Sequence, residues 1–234
     1  MRTRVATLGG SLLRPEVENR HEWLEGLCHS VGEAIASGYR LAFVIGGGAP
    51  AREGIELAKP ILGNNVEALD RIGIAATRLN ATIVAEALND FGIEVAPLIP
   101  SNIQEAASYS KRYSTVVMGG TEPGHTTDTV AIQLAKELGA ECCIIATNVA
   151  HVYSSDPRKN VEAKKFETMT HEELAEVVGP AEHKNAGHST VIDPIGASIA
   201  RDVSLNLAVI DGRNIERLRS AIIGESFEGT NIEG

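Results

Sequence analysis

Glycine-rich turns follow three apolar runs of this sequence, and they are the residues best suited to chemistry with phosphate. We call residues 9–11 (GGS), 46–48 (GGG) and 119–121 (GGT) the first, second and third glycine turns. Loops leaving the carboxyl ends of parallel strands meet at one edge of a sheet, where helix starts present unpaired N–H groups to an anion. Glycine lets a phosphate oxygen approach the backbone. One such turn is more often a simple strand-to-helix connection, but three together indicate a phosphate-binding edge.

The spacing around these turns argues against two common nucleotide-binding motifs. No turn is followed by the Gly-Lys-Ser or Gly-Lys-Thr of a Walker A loop, and none matches the GxGxxG pattern of dinucleotide-binding proteins. Neither a P-loop nor a Rossmann nucleotide site is therefore expected.

Two acidic residues lie where they could contact a nucleotide. Asp128 lies in the first turn of a predicted helix and directly follows residues 121–127, a segment rich in hydroxyls that we call the threonine loop. The helix dipole favours an acid there, although a capped helix start alone would explain it. Asp70 could accept hydrogen bonds from two ribose hydroxyls, but a solvated helix carboxylate is an equally good interpretation. His125 need not act as a base, because a phosphate monoester, with a second pKa near about 6, is mostly dianionic at neutral pH.

The elements that must position these residues alternate between short apolar runs and longer helical patterns, which is typical of an α/β protein. Strands are predicted at residues 5–8, 41–45, 95–98, 115–118, 142–146 and 207–210, with one further short strand near the end of the chain. Helices are predicted at residues 21–37, 66–88 and 127–138, and the segment 158–170 is predicted to be a polar surface excursion. The 66–88 helix carries an apolar stripe that predicts a core or a subunit interface, formed by Leu69, Ile72, Ala76, Leu79, Ile83 and Ala87.

Composition limits the class of protein and its partners. The chain has 234 residues, 43% of them hydrophobic, which is enough for one large domain or two tightly joined lobes. Its 21 basic and 31 acidic residues give a formal net charge of -10 at pH 7. This charge would repel a nucleic-acid backbone, so nucleic acid is not an expected partner and a nucleotide site must be locally positive.

The cysteine content and the N-terminal sequence indicate the cellular compartment in which the protein works. Cys28, Cys142 and Cys143 show no metal-type spacing, which is typical of a reduced intracellular protein. The first residues are not those of a signal peptide, and no apolar stretch is long enough to cross a bilayer. We therefore expect a cytoplasmic protein with no membrane partner.

Six ordered segments carry a resemblance that extends over nearly the whole chain. They are LGGSLL (8–13), VIGGGAPAR (44–52), LDRIGIAATRLNA (69–81), MGGTEPGHTTDTVA (118–131), TNVAHVYSSDPR (147–158) and VIDPIGA (191–197). Taken together, these segments resemble the amino acid kinase family and, within it, the archaeal-type UMP kinases.

The resemblance implies a fold, an activity and an assembly. The fold is an α/β three-layer αβα sandwich with a central, mainly parallel sheet, formed as a single domain over residues 1–234. Its N-terminal part would bind mainly UMP and its C-terminal part mainly ATP. The activity is transfer of the ATP γ-phosphoryl group to UMP in pyrimidine nucleotide biosynthesis, with Mg²⁺ held mainly by the nucleotide phosphates and not by protein ligands. The assembly is a homohexamer built as a trimer of dimers.

The resemblance also assigns roles to individual residues. The catalytic group is Gly10, Ser11, Arg52 and Asp128, of which Asp128 would organise the others and Arg52 is the expected cation. Residues that contact ATP are Gly10, Ser11, Gly48, Arg52, Thr147, Asn148, Tyr153 and Asp156. Residues that hold UMP are Gly47, Asp70, Thr121, Glu122, Pro123, Gly124, His125, Thr126 and Thr127.

The sequence departs from the family pattern at two places. Ala150 and His151 replace a common Asp-Gly pair, and histidine would fit less readily than glycine if that position required a positive φ. Thr7 and Ala49 stand where many or some members have lysine, so Arg52 and Mg²⁺ would carry more of the charge stabilisation.

Two other functions remain open from the sequence. One is a kinase of the same fold with a different acceptor, such as a carboxylate, a carbamate or isopentenyl phosphate. The other is a nucleotide-binding storage or regulatory paralogue, which the altered pair Ala150 and His151 would suit.

Overall fold

The structure is a computed structural model that describes residues 2–13, 20–155, 160–180 and 191–233. The strands are β1 (Arg2–Leu8), β2 (Tyr39–Ile45), β3 (Thr115–Met118), β4 (Cys142–Thr147), β5 (Val152–Tyr153), β6 (Lys165–Phe166), β7 (Thr168–Thr170), β8 (Leu207–Asp211) and β9 (Thr230–Glu233). The helices are α1 (Arg20–Ala36), α2 (Gly48–Leu62), α3 (Val66–Asp90), α4 (Ile103–Ser110), α5 (Thr127–Leu138), α6 (His171–Val178), α7 (Pro194–Asp202) and α8 (Ile215–Ile223). A 3-10 helix, Gly10–Leu13, follows β1.

The central sheet has the strand order β3-β2-β1-β4-β8-β9-β7. The first five of these strands are mutually parallel, whereas β9 runs antiparallel to β8. The chain order reverses at β1, since β2 and β3 lie on one side of it and β4 and β8 on the other. A reversal of this kind opens a crevice beyond the carboxyl ends of the strands, where ligands bind in open α/β sheets. The predicted mainly parallel α/β sheet is confirmed.

Two hydrophobic clusters cover the two faces of this sheet. Along β1, Ala6 and Leu8 belong to one cluster and Val5 to the other, because successive strand side chains point to opposite faces. Helices α1, α3 and α8 complete the first cluster, and α4, α5, α6 and α7 complete the second. Helix α2 packs outside α3 and has no fully buried side chain. The predicted three-layer arrangement is therefore confirmed.

Most predicted elements are found, and two differ in instructive ways. The predicted bounds of β3 and α5 agree with the structure, and the short final strand is β9. The strand predicted at residues 95–98 is wrong, because only Val95 forms an isolated bridge, with Thr115, and Leu98 is 63% exposed. Pro97 explains this result, since proline cannot donate a ladder hydrogen bond. The excursion predicted at 158–170 contains the short strands β6 and β7, and residues 158–159 lie outside the described residues.

Helix α3 presents a different face to the core from the one its apolar stripe predicts. Of that stripe, Leu69 is buried, but Leu79 and Ile83 are 53% and 41% exposed. The buried face instead includes two polar residues, Thr77 and Asn80. The core interpretation is therefore wrong for the middle of the stripe.

A search of the described ranges for a membrane span found no helix with the length and hydropathy needed to cross a bilayer.

Candidate functional site

The first and second glycine turns pack directly against each other at the carboxyl ends of β1 and β2. The Gly46 N–H donates to the Leu8 carbonyl at 2.8 Å, which joins the two strand ends. A Cβ added to Gly10 would lie 2.6 Å from the Gly47 carbonyl carbon, and one added to Gly46 would lie 2.6 Å from the Gly10 nitrogen. No side chain fits between these backbones, so both turns require glycine for close approach.

The start of α2 continues the second glycine turn and is open to an anion. Gly48 begins this 15-residue helix with a φ of +59°, and the residue before it, Gly47, has no side chain with which to cap the helix. The first N–H groups of α2 therefore lack the side-chain acceptor that Asn65 or Thr126 supplies to other helices. Such a helix start attracts phosphate through its N–H groups and its dipole. Arg52 is exposed on the second turn of the same helix.

The third glycine turn packs against α3. The Gly120 N–H donates to Thr77 Oγ1 at 2.7 Å, and a Cβ on Gly119 would lie 2.6 Å from the same oxygen. Asn80 Nδ2 donates to the carbonyls of Gly46 and Gly47 at 2.8 and 3.0 Å. One helix therefore contacts both the second and the third turn. Neither residue received a role from the sequence, although polar side chains three apart on a buried helix face are a signal for one.

Asp70 holds the threonine loop through its backbone. The Gly124 N–H donates to Asp70 Oδ2 at 2.9 Å, and Gly124 has a φ of +87°, which favours glycine. Within the loop, His125 Nδ1 lies 3.1 Å from Glu122 Oε1. The structure therefore places Asp70 in contact with the loop, through a hydrogen bond that orders the loop itself.

Asp193 ties the start of α5 to the start of α7. The hydroxyls of Thr126 and Thr129 donate to Asp193 Oδ2 at 2.7 and 2.8 Å, while Oδ1 accepts from Ile195 N at 2.8 Å. Asp193 is 8% exposed, and its three donors satisfy a carboxylate that would otherwise be costly to bury. The sequence assigned it no role, although an Asp-Pro pair is typical of a helix start.

Asp128 connects α5 to β1. Burial raises the pKa of its carboxyl group to about 6, and the nearby Asp193 charge acts in the same direction. The Thr7 hydroxyl donates a hydrogen bond to the carboxylate, which partly opposes the rise in pKa. Thr7 lies on β1, so this hydrogen bond gives Asp128 a neutral partner.

Thr147 lies at the end of β4, beside the first glycine turn. Its carbonyl accepts from the Gly212 N–H at 2.8 Å, and its Cα would lie 3.9 Å from a Cβ placed on Gly9. Asn148 follows it, and Tyr153 lies on the two-stranded sheet formed by β5 and β6. Asp156 lies outside the described residues.

The altered pair Ala150 and His151 is accommodated without a left-handed backbone. Among the described residues that are not glycine, positive φ occurs at Ser204 alone, so His151 has an ordinary φ. The His151 side chain is 3% exposed, and its ring centroid lies 6.1 Å from that of Tyr153 in an edge-to-face arrangement. The turn therefore differs in shape from one that requires glycine, and the histidine packs beside a residue predicted to contact ATP.

No group of three His, Cys, Asp or Glu side chains in the described part of the chain could hold a metal ion. The site is instead a glycine cradle with two open features, the start of α2 and the threonine loop. This arrangement suits a phosphate-bearing ligand.

Comparison with known proteins identifies relatives over almost the full length. The model of the amino acid kinase family matches residues 2–211. A protein named uridylate kinase from Methanocaldococcus jannaschii is 38% identical over 230 residues, covering 98% of this chain and 99% of the relative. Another of that name from Archaeoglobus fulgidus is 40% identical over 228 residues, covering 97% and 98%.

Solved structures agree with these matches. The crystal structure of uridylate kinase from Archaeoglobus fulgidus has a TM-score of 0.84 and 38% identity, covering 99% of this chain and 100% of that one. The UMP kinase from Bacillus anthracis has a TM-score of 0.80 at 23% identity, covering 99% and 96%, and supports the fold alone.

Proposed function

This chain belongs to the amino acid kinase family, and from that premise we propose that it is a UMP kinase. It transfers the γ-phosphoryl group of ATP to UMP and forms UDP and ADP. The observation that carries the proposal is that relatives named uridylate kinase are 38% and 40% identical to it over nearly the whole of both chains. The same relatives argue against a carboxylate, a carbamate or isopentenyl phosphate as the acceptor.

The acceptor UMP lies along the threonine loop. Its phosphate faces the hydroxyls of Thr121 and Thr127, and Gly47 lets it approach the second glycine turn. Thr126 holds the end of the loop in place, because its hydroxyl donates to Asp193. Asp70 holds the loop at Gly124 and directs its carboxylate to the ribose side. Glu122, Pro123 and His125 complete the loop, and His125 binds without acting as a base.

The donor ATP lies across the first and second glycine turns. Gly10, Ser11 and Gly48 contact its phosphates where the two turns meet, and the lack of a Cβ on Gly10 and Gly48 lets the turns pack against each other there. The open start of α2 and Arg52 supply local positive charge in a protein with a net charge of -10. Thr147, Asn148, Tyr153 and Asp156 contact the nucleoside. The nucleoside contacts of ATP are therefore C-terminal, whereas its phosphate contacts come from the N-terminal glycine turns, so the expected division into a UMP-binding N-terminal part and an ATP-binding C-terminal part stays a prediction.

The chemistry is an in-line displacement. A dianionic phosphate oxygen of UMP attacks the γ-phosphorus, a new P–O bond forms, and the bond from that phosphorus to the β–γ bridging oxygen breaks, so ADP leaves. Mg²⁺ held by the nucleotide phosphates supplies charge neutralisation. The protein contributes alignment and charge stabilisation through backbone N–H groups, Arg52 and an Asp128 that orders the surrounding groups. No covalent intermediate with the protein is formed.

A coupled assay tests this function. ADP release is measured with ATP, Mg²⁺ and each of UMP, CMP, AMP and GMP, with a reaction lacking any acceptor as the control for ATP hydrolysis. We expect release to depend on UMP and to be much lower with the purine monophosphates. Release no faster with UMP than without an acceptor would refute the proposal and would favour a nucleotide-binding paralogue.

We further propose that the chain assembles as a homohexamer, a trimer of dimers. Large apolar side chains on α2 and α3 support this assembly, since Leu57, Ile61, Leu79 and Ile83 are 82%, 89%, 53% and 41% exposed. Each pair lies one helical turn apart, so both helices present apolar surface that a second copy would bury. Light scattering should give the mass of six chains, and Leu79→Glu should reduce it. A monomer mass for the unaltered chain would contradict the assembly.

A further inference from the structure

We infer that Thr77 and Asn80 are positioning residues that hold the second and third glycine turns in register, and so align UMP with ATP. This inference rests on the proposed function for its kinetic consequence, but the contacts that carry it do not depend on the substrate. They all come from one face of α3, the face that is buried although it is partly polar.

The Thr77 hydroxyl both donates and accepts a hydrogen bond in the same side-chain orientation. It donates to the Ile74 carbonyl at 2.6 Å, which directs its lone pairs away from the helix, and it accepts from the Gly120 N–H at 2.7 Å. The methyl group reaches the other turn, since Thr77 Cγ2 would lie 3.5 Å from a Cβ on Gly47. Thr77 is 7% exposed, so it presents little surface to solvent while its hydroxyl binds the third turn and its methyl group faces the second.

Asn80 fixes two successive peptide groups of the second turn. Its amide nitrogen donates to the carbonyls of Gly46 and Gly47, which turns those oxygens towards α3. The N–H groups that follow them, on Gly47 and Gly48, belong to the same two peptide planes. Because a peptide group is planar, its N–H points away from its C=O and hence away from α3.

The Asn80 side chain has one polar atom that no hydrogen bond satisfies. The side chain is 0% exposed, and its Oδ1 atom is buried without a hydrogen-bond partner in the described part of the protein. An unsatisfied buried carbonyl is unfavourable, whereas the two hydrogen bonds that the amide donates to the Gly46 and Gly47 carbonyls are favourable. Its two donated bonds to the phosphate-facing turn supply the reason for its presence.

Asp70 extends the same alignment to the threonine loop. Residues 70, 77 and 80 lie on one side of α3 and contact Gly124, Gly120 and the second turn in that order. The rise of 1.5 Å per residue sets fixed distances between these contacts. Helix α3 therefore sets the spacing between the loop predicted to hold UMP and the turn predicted to hold ATP phosphates.

The test compares three threonine variants of the whole protein. Thr77→Val removes the hydroxyl and keeps the shape, Thr77→Ser keeps the hydroxyl, and Thr82→Val is the matched control. Thr82 lies on the exposed side of α3, and its hydroxyl donates to the Arg78 carbonyl at 3.0 Å without contacting a glycine turn. Each folded variant is assayed for kcat and for the KM of UMP and of ATP.

We expect Thr77→Val to lower kcat by about 10- to 100-fold with both KM values within about threefold, because misalignment affects the transition state more than binding. Thr77→Ser and Thr82→Val should stay within about threefold of the unaltered protein.

Asn80→Leu should also lower kcat, whereas Asn89→Leu, on the exposed end of α3, should not. If Thr77→Val does not fold, Thr77→Ala takes its place. A folded Thr77 variant without the hydroxyl that keeps normal kcat would overturn the inference, as would an equal loss in Thr82→Val.

Hydrogen–deuterium exchange separates this inference from the proposed function. Peptides that contain Gly120 should exchange faster in Thr77→Val and normally in Thr77→Ser, whatever substrate the protein uses. If the unaltered protein shows no UMP-dependent turnover but this exchange pattern is found, the proposed function fails and the positioning contact stands. Unchanged exchange in Thr77→Val would overturn the positioning role even if UMP is the substrate.

Discussion

Replacing Asp128 by asparagine should make the protein more stable and less active. The carboxylate of Asp128 lies at the start of α5, half-buried, with Thr7 as its hydrogen-bond donor and Asp193 nearby. Asparagine has nearly the same shape, and its side-chain oxygen can still accept the hydrogen bond from Thr7. The substitution therefore removes the charge and leaves the packing largely intact.

The size and sign of the stability effect follow from the pKa. Burial raises the pKa of Asp128 from 3.8 to about 6, so the folded protein binds this proton more tightly than the unfolded chain does. The contribution of this group to the free energy of unfolding is present in full below pH 3.8 and is lost as pH rises to about 6. A shift of this size corresponds to about 3 kcal/mol at most, and we expect roughly 1–2 kcal/mol because the side chain keeps some contact with solvent.

Urea denaturation of both proteins at pH 4 and at pH 7.5 measures this effect. Asp128→Asn should be more stable than the unaltered protein by roughly 1–2 kcal/mol at pH 7.5, with a difference under about 1 kcal/mol at pH 4. It should also lower kcat at least about tenfold, because the charge that orders the catalytic groups is lost.

The matched control is Glu216→Gln, which removes an exposed acid from the first turn of α8. It should lower stability by a few tenths of a kcal/mol at pH 7.5, through loss of a favourable helix-dipole contact. The opposite signs of the two changes separate burial from a general effect of removing acids. Asp128→Asn that is less stable at pH 7.5, or that shows the same difference at both pH values, would refute the reasoning.

Three further predictions concern single residues of the site. Arg52→Ala should lower kcat/KM for ATP at least about tenfold, because the expected cation beside the phosphates is lost; an unchanged value in steady-state assays would remove Arg52 from the mechanism. Gly10→Ala should lose almost all activity and about 2–4 kcal/mol of stability in urea denaturation, since its Cβ would lie 2.6 Å from backbone at Gly47. A fully active Gly10→Ala protein would show that the two turns can separate. His125→Ala should raise the KM of UMP and keep most of kcat, and lost turnover with unchanged nucleotide affinities would contradict its role in binding alone.

The sequence predicted the bounds of those helices and strands that begin and end at capping or turn residues. Helix α5 starts at a threonine cap, Thr126, and ends at Gly139 in the left-handed conformation, so its bounds could be predicted. The three glycine turns after buried strands likewise predicted the edge at which the site lies. The resemblance to a family added the residue roles, which local patterns do not contain.

The face of α3 could not be predicted in this way. A periodic apolar stripe shows that some surface covers a helix, but it does not distinguish the protein's own core from another chain. Thr77 and Asn80 lie on the core face although they are polar, because their hydrogen bonds to the glycine turns are formed only in the folded chain. The exposed Leu79 and Ile83 follow from the same orientation.

Residues close together in the chain were therefore enough to predict the α/β class, most strand and helix positions, and the glycine turns that meet at one edge of the sheet. These features depend on residues close together in the chain. The tertiary structure was needed to show which turns touch, which polar groups are satisfied and how burial raises the pKa of Asp128. Asp193 and Thr126 are 67 positions apart, and Asn80 and Gly46 are 34 apart, so no local pattern relates them. Their contacts exist because the parallel sheet brings distant strand ends to one edge, where burial then sets the strength of each interaction.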